Sequence, residues 1–133
     1  MNKFKTFTIL FLIISIIGVA LFFSFTKKEE KPKLYVKYNE RYYQEKMCKK
    51  LDGLVEYRLK DKTRVDCLTD DYAIEVDFAK KWAEGIGQAL FYALMTGKEP
   101  AVGLIVGAKD ARYLKRLRKV ADKFDIEVFV LEK

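Results

Sequence analysis

Histidine is absent from all 133 residues. Its absence excludes Ser-His-Asp and Cys-His catalysis, the usual His-ligated zinc sites and a His general base. Cysteine is scarce: Cys48 and Cys67 form no C-x-x-C pair and are too few for a structural zinc site. No phosphate-binding G-x-G-x-x-G or G-x-x-x-x-G-K-[ST] pattern occurs, and the short Gly85-Ile86-Gly87 falls inside an expected helix. A small-molecule enzyme built on such a loop therefore has little support. Internal repeats and low-complexity tracts are lacking too, and a chain with 50% hydrophobic and 34% charged residues is too apolar for disorder.

Charge is missing from one long stretch. Every residue from Phe7 to Phe25 is apolar, Gly, Ser or Thr. A helix of that length rises roughly 28 Å, close to the hydrocarbon thickness of a bilayer. Lys3 and Lys5 precede it, as in a signal peptide or a signal-anchor. Its end, Leu21-Phe22-Phe23-Ser24-Phe25, is bulky where a signal peptidase needs small residues, so an uncleaved anchor is the expectation and a cleaved signal the alternative. The expected organisation is an anchor or signal segment over 1–26, a charged linker over 27–33 and one α/β domain over 34–133. The lysines after the segment argue for a cytoplasmic domain by the positive-inside rule, whereas the short N-terminal tail argues for an extracytoplasmic one.

The formal charge is +7. Residues 1–33 hold six Lys and two Glu, or +4 of that total, which leaves +3 for the domain. Such a charge is compatible with nucleic-acid binding without arguing strongly for it. If the domain is exported, Cys48 and Cys67 can pair and close a loop of about 20 residues, worth roughly 3 kcal/mol. If it is cytoplasmic, two buried thiols are expected.

Within the domain the pattern predicts a helix over Asn39–Leu51, ended by Asp52-Gly53. Three alternating stretches follow as an antiparallel meander: Leu54–Leu59, Thr63–Leu68 and Tyr72–Phe78. Alternation places Val65 and Cys67 opposite Arg64 and Asp66, and Ile74, Val76 and Phe78 opposite Ala73, Glu75 and Asp77. A second helix is expected from about Ala79 to Met95, with Gly97 just past its end. Val102–Val106 reads as a strand buried on both faces. Asp110 is the expected N-cap of a third helix, whose apolar stripe includes Leu114, Leu117 and Ala121 and whose outer face includes Lys115, Arg118 and Lys119. Ile126–Leu131 is the last strand. The order α-β-β-β-α-β-α-β implies a mixed central sheet with helices on both faces.

Acidic residues gather on the meander: Glu56, Asp66, Glu75 and Asp77. Brought together, they would repel unless a cation neutralised them, and oxygen ligands without His or Cys favour Mg²⁺ or Mn²⁺. The plain alternative is a set of outward charges on a half-solvated sheet. On the next helix Lys81, Gly85, Gln88 and Tyr92 share one stripe, with Trp82, Ile86, Ala89, Leu90 and Ala93 opposite. That stripe suits contact with a polar substrate, or is an ordinary exposed face.

The order Glu56 … Asp66 … Glu75-Val76-Asp77 … Gln88-x-x-x-Tyr92 on an α-β-β-β-α-β frame resembles the PD-(D/E)XK nuclease superfamily, over roughly residues 39–131. Arg64–Asp70, Ala73–Ala79, Trp82 and Gly87-Gln88-Ala89 look like small bacterial members of that type, which often begin with an export segment. The resemblance implies a restriction-endonuclease-like fold behind an N-terminal hydrophobic helix. It also implies a metal-dependent hydrolase of phosphodiesters; the hydrophobic segment would hold it at the bacterial inner membrane with one pass, the domain expected to be extracytoplasmic with the side left open. In that frame Asp66, Glu75, the Val76 carbonyl and Asp77 would surround Mg²⁺ or Mn²⁺, with Glu56 as an outer acid. Gln88 and Tyr92 would match the Q-x-x-x-Y element, with Tyr92 and Gly85 against the substrate. The family's E-x-K lysine is replaced by Asp77, so Lys81, or failing it Lys80, would supply the missing amine. The alternative function is an inactive module of the same fold that binds a partner at the membrane.

Overall fold

The computed structural model describes residues 38–133. The expected anchor, the linker and the first residues of the expected domain lie outside that range. Among the described residues no helix is long and apolar enough to cross a membrane.

Helix α1 (Glu40–Lys50) opens on Asn39, whose side chain accepts from the Tyr42 N–H at 3.0 Å. That satisfies one of the free donors of the first turn. The meander follows as β1 (Leu54–Arg58), β2 (Arg64–Leu68) and β3 (Tyr72–Phe78). A single 3₁₀ turn, Ala79–Lys81, then leads into α2 (Trp82–Thr96), so the expected second helix begins three residues later. Gly97 ends α2 at φ 71°, a left-handed conformation that costs glycine little. Strand β4 (Glu99–Val106) starts three residues before the apolar run, because its register on β3 begins at Tyr72 beside Glu99. Helix α3 (Ala111–Phe124) and β5 (Glu127–Glu132) complete the chain. Asp110 sits at the N-cap of α3 but does not cap it. Its Oδ2 instead accepts from the Gly107 N–H and the Lys133 ammonium, both at 2.9 Å.

The sheet order follows the chain, β1-β2-β3-β4-β5. The first three strands pair antiparallel and the last three parallel, giving the expected mixed sheet. Helix α1 covers one face, where Tyr43 and Met47 pack with Ile74, Val76, Ala101 and Ile105. Helices α2 and α3 share the other, where Ala89 meets Leu117 and Ala121 over Val102 and Leu104. Each large aliphatic side chain buried in these layers contributes about 1.5–3 kcal/mol.

Cys48 and Cys67 are joined by a disulfide with Cα atoms 5.5 Å apart, so of the two sequence expectations the paired one holds. The bond ties α1 to β2. It also explains Gly53, since a Cβ there would stand 2.6 Å from the Cys67 sulfur and 2.9 Å from the Cys48 sulfur. Gly53→Ala is therefore expected to destabilise the oxidised domain by about 2 kcal/mol or more. Urea melts of Gly53→Ala alone and combined with Cys48→Ala/Cys67→Ala would check this. An equal cost in both backgrounds would refute the clash.

Candidate functional site

Strands β2 and β3 do not pair along their full length. Cys67 sits beside Ile74 and Leu68 beside Ala73, and the pairing stops there. Continued by one step it would set Asp66 opposite Glu75. Instead the strands fork, and the Asp66 carboxylate accepts the Val76 N–H at 2.8 Å, standing in for the missing strand partner. The same break runs into β1. Val55 pairs with Cys67 and Tyr57 with Val65, while Glu56 and Asp66 between them do not pair. Glu56 has φ 55°, a left-handed conformation in mid-strand that costs roughly 1 kcal/mol or more.

This break overturns the expected alternation of β2. Cys67 is bonded into the α1 face, whereas Val65 packs with Ala73 and Tyr92 on the α2 face. Two residues apart, they lie on opposite sides because the chain kinks at Asp66. On β3 the alternation holds: Ile74 and Val76 lie under α1, and Ala73 packs against Tyr92 of α2.

Glu75 and Asp77 are not outward charges of a half-wet sheet, whereas Glu56 is partly exposed and pairs with Arg64. Glu75 is 7% exposed and Asp77 2%. Buried carboxyls favour the protonated form. Burial, then the charges of Asp66 and Asp77, push Glu75 up to about 9. Burial raises Asp66 to about 6 against the opposing Val76 N–H, with Glu56, Glu40 and Asp77 adding to the rise. Burial also raises Asp77 to about 6, although Lys81 resists. Glu75 Oε2 and Asp77 Oδ2 are shielded from water and have no hydrogen-bond partner. Such orphaned oxygens are costly in a folded protein.

The helix stripe closes over these groups. Lys81, in the 3₁₀ turn, places its ammonium 3.1 Å from Asp77 Oδ1, and Asp77 in turn holds its pKa up. Gly85 lies directly above: a Cβ there would stand 3.3 Å from Asp77 Oδ2. Its role is thus close packing on Asp77, a finding that the expected substrate contact did not anticipate. Tyr92 is buried between Val65 and Ala73, and its hydroxyl is held up by burial and by Glu75, with a hydrogen bond from Gln88 opposing. Gly85 and Tyr92 therefore face the sheet, Gln88 is half-buried beside them, and Lys81 stays exposed at the edge with its ammonium on Asp77. Lys80 is exposed, and its charge adds slightly to the lowering of the Asp110 carboxyl by Lys133 and the Gly107 N–H.

Two residues of α1 belong to the site and were not expected there. Gln44 is buried and donates through Nε2 to Glu56 Oε1 at 2.8 Å, to the Asp66 carbonyl at 3.0 Å and to Asp66 Oδ1 at 3.1 Å. Arg64 holds the other Glu56 oxygen at 3.1 Å. Glu40, one turn before Gln44, adds its charge to Asp66, Glu75 and Asp77. The signal was present in the sequence: Glu40, Gln44 and Cys48 recur every four residues along the inward side of α1.

The donor set is all oxygen apart from Lys81 and Gln44, which suits a hard divalent cation. The two orphaned oxygens and the mutual repulsion are what such a cation would relieve. Yet among the described residues no three acidic or Cys side chains stand close enough to form a ready-made metal site. Asp66 is turned to the Val76 N–H, and Asp77 to Lys81. Val76 contributes its N–H here, donated to Asp66 Oδ2. A groove of about 540 Å³ lined by Tyr43, Lys46, Met47, Phe129 and Lys133 opens on the α1 face, away from these carboxylates.

No family model matches the chain. No solved structure matches it significantly. The chain is similar to a KilA-N domain-containing protein of Acanthamoeba polyphaga mimivirus, 32% identical over 100 residues. The match covers 74% of this chain and 39% of the viral protein, so the chain spans about two fifths of that relative's length.

Proposed function

We propose that the domain is a Mg²⁺- or Mn²⁺-dependent phosphodiester hydrolase of the PD-(D/E)XK kind. The observation that carries this reading is the fork between β2 and β3. There the charges of Asp66 and Asp77 act on the buried Glu75, and Lys81 pairs with Asp77, which supports a site of this kind although its E-x-K lysine is absent. Lys81 supports the idea that the missing E-x-K lysine is replaced from the following turn, since its ammonium already touches the residue in that slot.

Asp66 and Glu75 would hold the cation, with Asp77 beside them. A bound divalent cation would supply charge stabilisation on the phosphate and a more acidic water. Lys81 would hold the attacking water and counter charge building on the phosphate oxygens. Gln44 and Glu56 would fix the Asp66 rotamer. Hydrolysis forms a bond from water oxygen to phosphorus and breaks the phosphorus–alkoxide bond, the alkoxide leaving with a proton. The basic outer face of α3 offers a phosphate-binding surface. The Cys48–Cys67 bond supports an oxidising compartment, so the domain would stand outside the cytoplasm, behind an anchor at Phe7–Phe25.

Asp66 is already engaged by the Val76 N–H and Gln44, which favours a second reading: the fold retained as a membrane-tethered binding module without catalysis. Labelled duplex DNA, single-stranded DNA and RNA, incubated with the full chain and millimolar Mn²⁺ or Mg²⁺, separate the two. Cleavage is expected for the wild type and its loss for Asp66→Ala, Glu75→Ala and Lys81→Met. Equal activity in all four would sink the site assignment, and no activity in the wild type would favour the binding module.

A further inference from the structure

The β1–β2 hairpin concentrates positive charge. Residues 56–64 hold Arg58, Lys60, Lys62 and Arg64 against Glu56 and Asp61. Asp61 is engaged within the turn, where its Oδ1 accepts the Thr63 N–H at 3.0 Å and the Thr63 hydroxyl at 2.7 Å. Glu56 holds Arg64 at 3.1 Å, yet the Arg64 side chain stays 63% exposed. Arg58 stands directly opposite Arg64 in the ladder. Like charges so placed are about 5 Å apart at Cβ and weaken a strand pair. Lys62 sits at φ 75°, a turn position that glycine fills with least strain. The backbone around it is fixed: the Leu59 N–H donates to the Thr63 carbonyl at 2.9 Å and the Lys62 N–H to the Leu59 carbonyl at 3.0 Å. Among the described residues, Arg58, Lys62 and Arg64 alone line a cleft of about 260 Å³ at this tip. The repelling arginines and the strained lysine both work against stability, and an anion held in the cleft accounts for both.

We propose that this cleft is a phosphate subsite that grips the backbone of a nucleic-acid strand beside the fork. Arginine forks hold phosphate oxygens two at a time, and Lys62 adds a point charge. Arg64 lies two residues from Asp66 on β2, roughly 7 Å along the strand. Its partner Glu56 shares the Gln44 amide with Asp66. A phosphate in the cleft thus stands about two base-pair rises from the carboxylates. Free phosphate and a lipid headgroup offer the same chemistry, but only a chain of phosphates reaches both the cleft and the fork. That choice of source rests on the hydrolase reading, whereas the subsite itself rests on the hairpin.

Fluorescence anisotropy of the full chain, in a nonionic detergent with EDTA, tests binding without cleavage. The probes are labelled duplex DNA, single-stranded DNA and RNA, and binding to at least one is expected. Arg58→Gln/Lys62→Gln should weaken it about tenfold and flatten the log–log salt dependence by about two. The same variant should melt no lower than the wild type, since it removes the repulsion between strands. Lys62→Gly should melt higher yet bind more weakly, which separates anion binding from folding. Lys49→Gln/Lys50→Gln, an equal loss of charge on α1, should stay within about twofold of the wild type. Equal weakening by the two pairs would overturn the subsite, leaving net charge as the cause. So would binding to none of the three probes. Displacement of the bound strand by inorganic phosphate, or by phosphatidylserine in the micelles, at the same phosphate concentration would overturn the nucleic-acid assignment. Binding without cleavage once Mn²⁺ replaces EDTA would count against the hydrolase reading and leave the subsite standing.

Discussion

Glu75→Gln is expected to stabilise the domain at alkaline pH and to abolish its response to divalent cations. Glu75 is buried beside Asp66 and Asp77, and its carboxyl is held up to about 9. In the unfolded chain the same group titrates near 4.3. A carboxyl whose pKa is raised on folding binds its proton more tightly in the folded state. Its contribution is fully present below the unfolded value and is lost as pH rises through the folded one. For Glu75 that window extends to about pH 9, and Asp66 and Asp77 add a loss through about pH 6. The wild type should thus be most stable near pH 4 and weaken steadily toward pH 9. Gln cannot ionise, so the variant should match the wild type near pH 4 and melt about 5–10 °C higher at pH 9. Mn²⁺ should raise the wild-type melting temperature more at pH 8 than at pH 6, because it displaces protons from the site. Under the proposed function Glu75→Gln should lose that rise, and phosphodiester hydrolysis should fall on the order of 10³-fold. Parallel melting curves across this range for both proteins would rule out the buried-proton account.

Cys48→Ala/Cys67→Ala is expected to cost about 3 kcal/mol, because the bond closes a loop of about 20 residues. For a domain of this size that corresponds to a fall in melting temperature of about 12–20 °C. The effect should also reach the site. Gln44 lies one turn before Cys48 on α1, and Asp66 directly precedes Cys67 on β2. The covalent link and the Gln44 hydrogen bonds therefore clamp the same two elements. Without the bond, amides of α1 should exchange with solvent at least tenfold faster relative to those of β4, by about 1.4 kcal/mol of local opening. A drop below about 3 °C, with α1 exchange unchanged, would show that packing alone holds α1 in place.

Much of the architecture was legible because its signals are local. The apolar run Val102–Val106 and the alternation of Tyr72–Phe78 each name a strand and its faces. The α-β-β-β-α-β-α-β order then fixes a mixed sheet with helices on both sides. Residues 64–68 misled for a local reason: alternation assumes a regular ladder, and Asp66 kinks it by bonding the Val76 N–H. Asp110 misled similarly, since an Asp before a helix reads as a cap until Lys133 and Gly107 claim its carboxylate. Glu75, Asp77 and Tyr92 were legible as neighbours because β3 and α2 keep a clear period, whereas the period of β1 and β2 breaks at Glu56 and Asp66. Gln44 and Glu40 were missed because α1 shows only a shallow contrast between its faces. Their role depends on where α1 docks, which no periodicity encodes. That Gly85 and Tyr92 of α2 face inward was equally illegible, for a helix polar on one side normally turns that side to water.

Because each strand lies beside its predecessor in sequence, the sheet can be laid down in the direction of synthesis or threading. Every strand docks on an edge that already exists, and none must be inserted between two others. The hairpin of β1 and β2, with α1 bonded across it, needs only residues 40–68 to be out. The crosslink can thus form on the leading part of the chain before β4 and β5 emerge. The late strands then add to a template that is already covalently closed, which shortens the interval in which the forked edge of β3 is open to pairing with other chains.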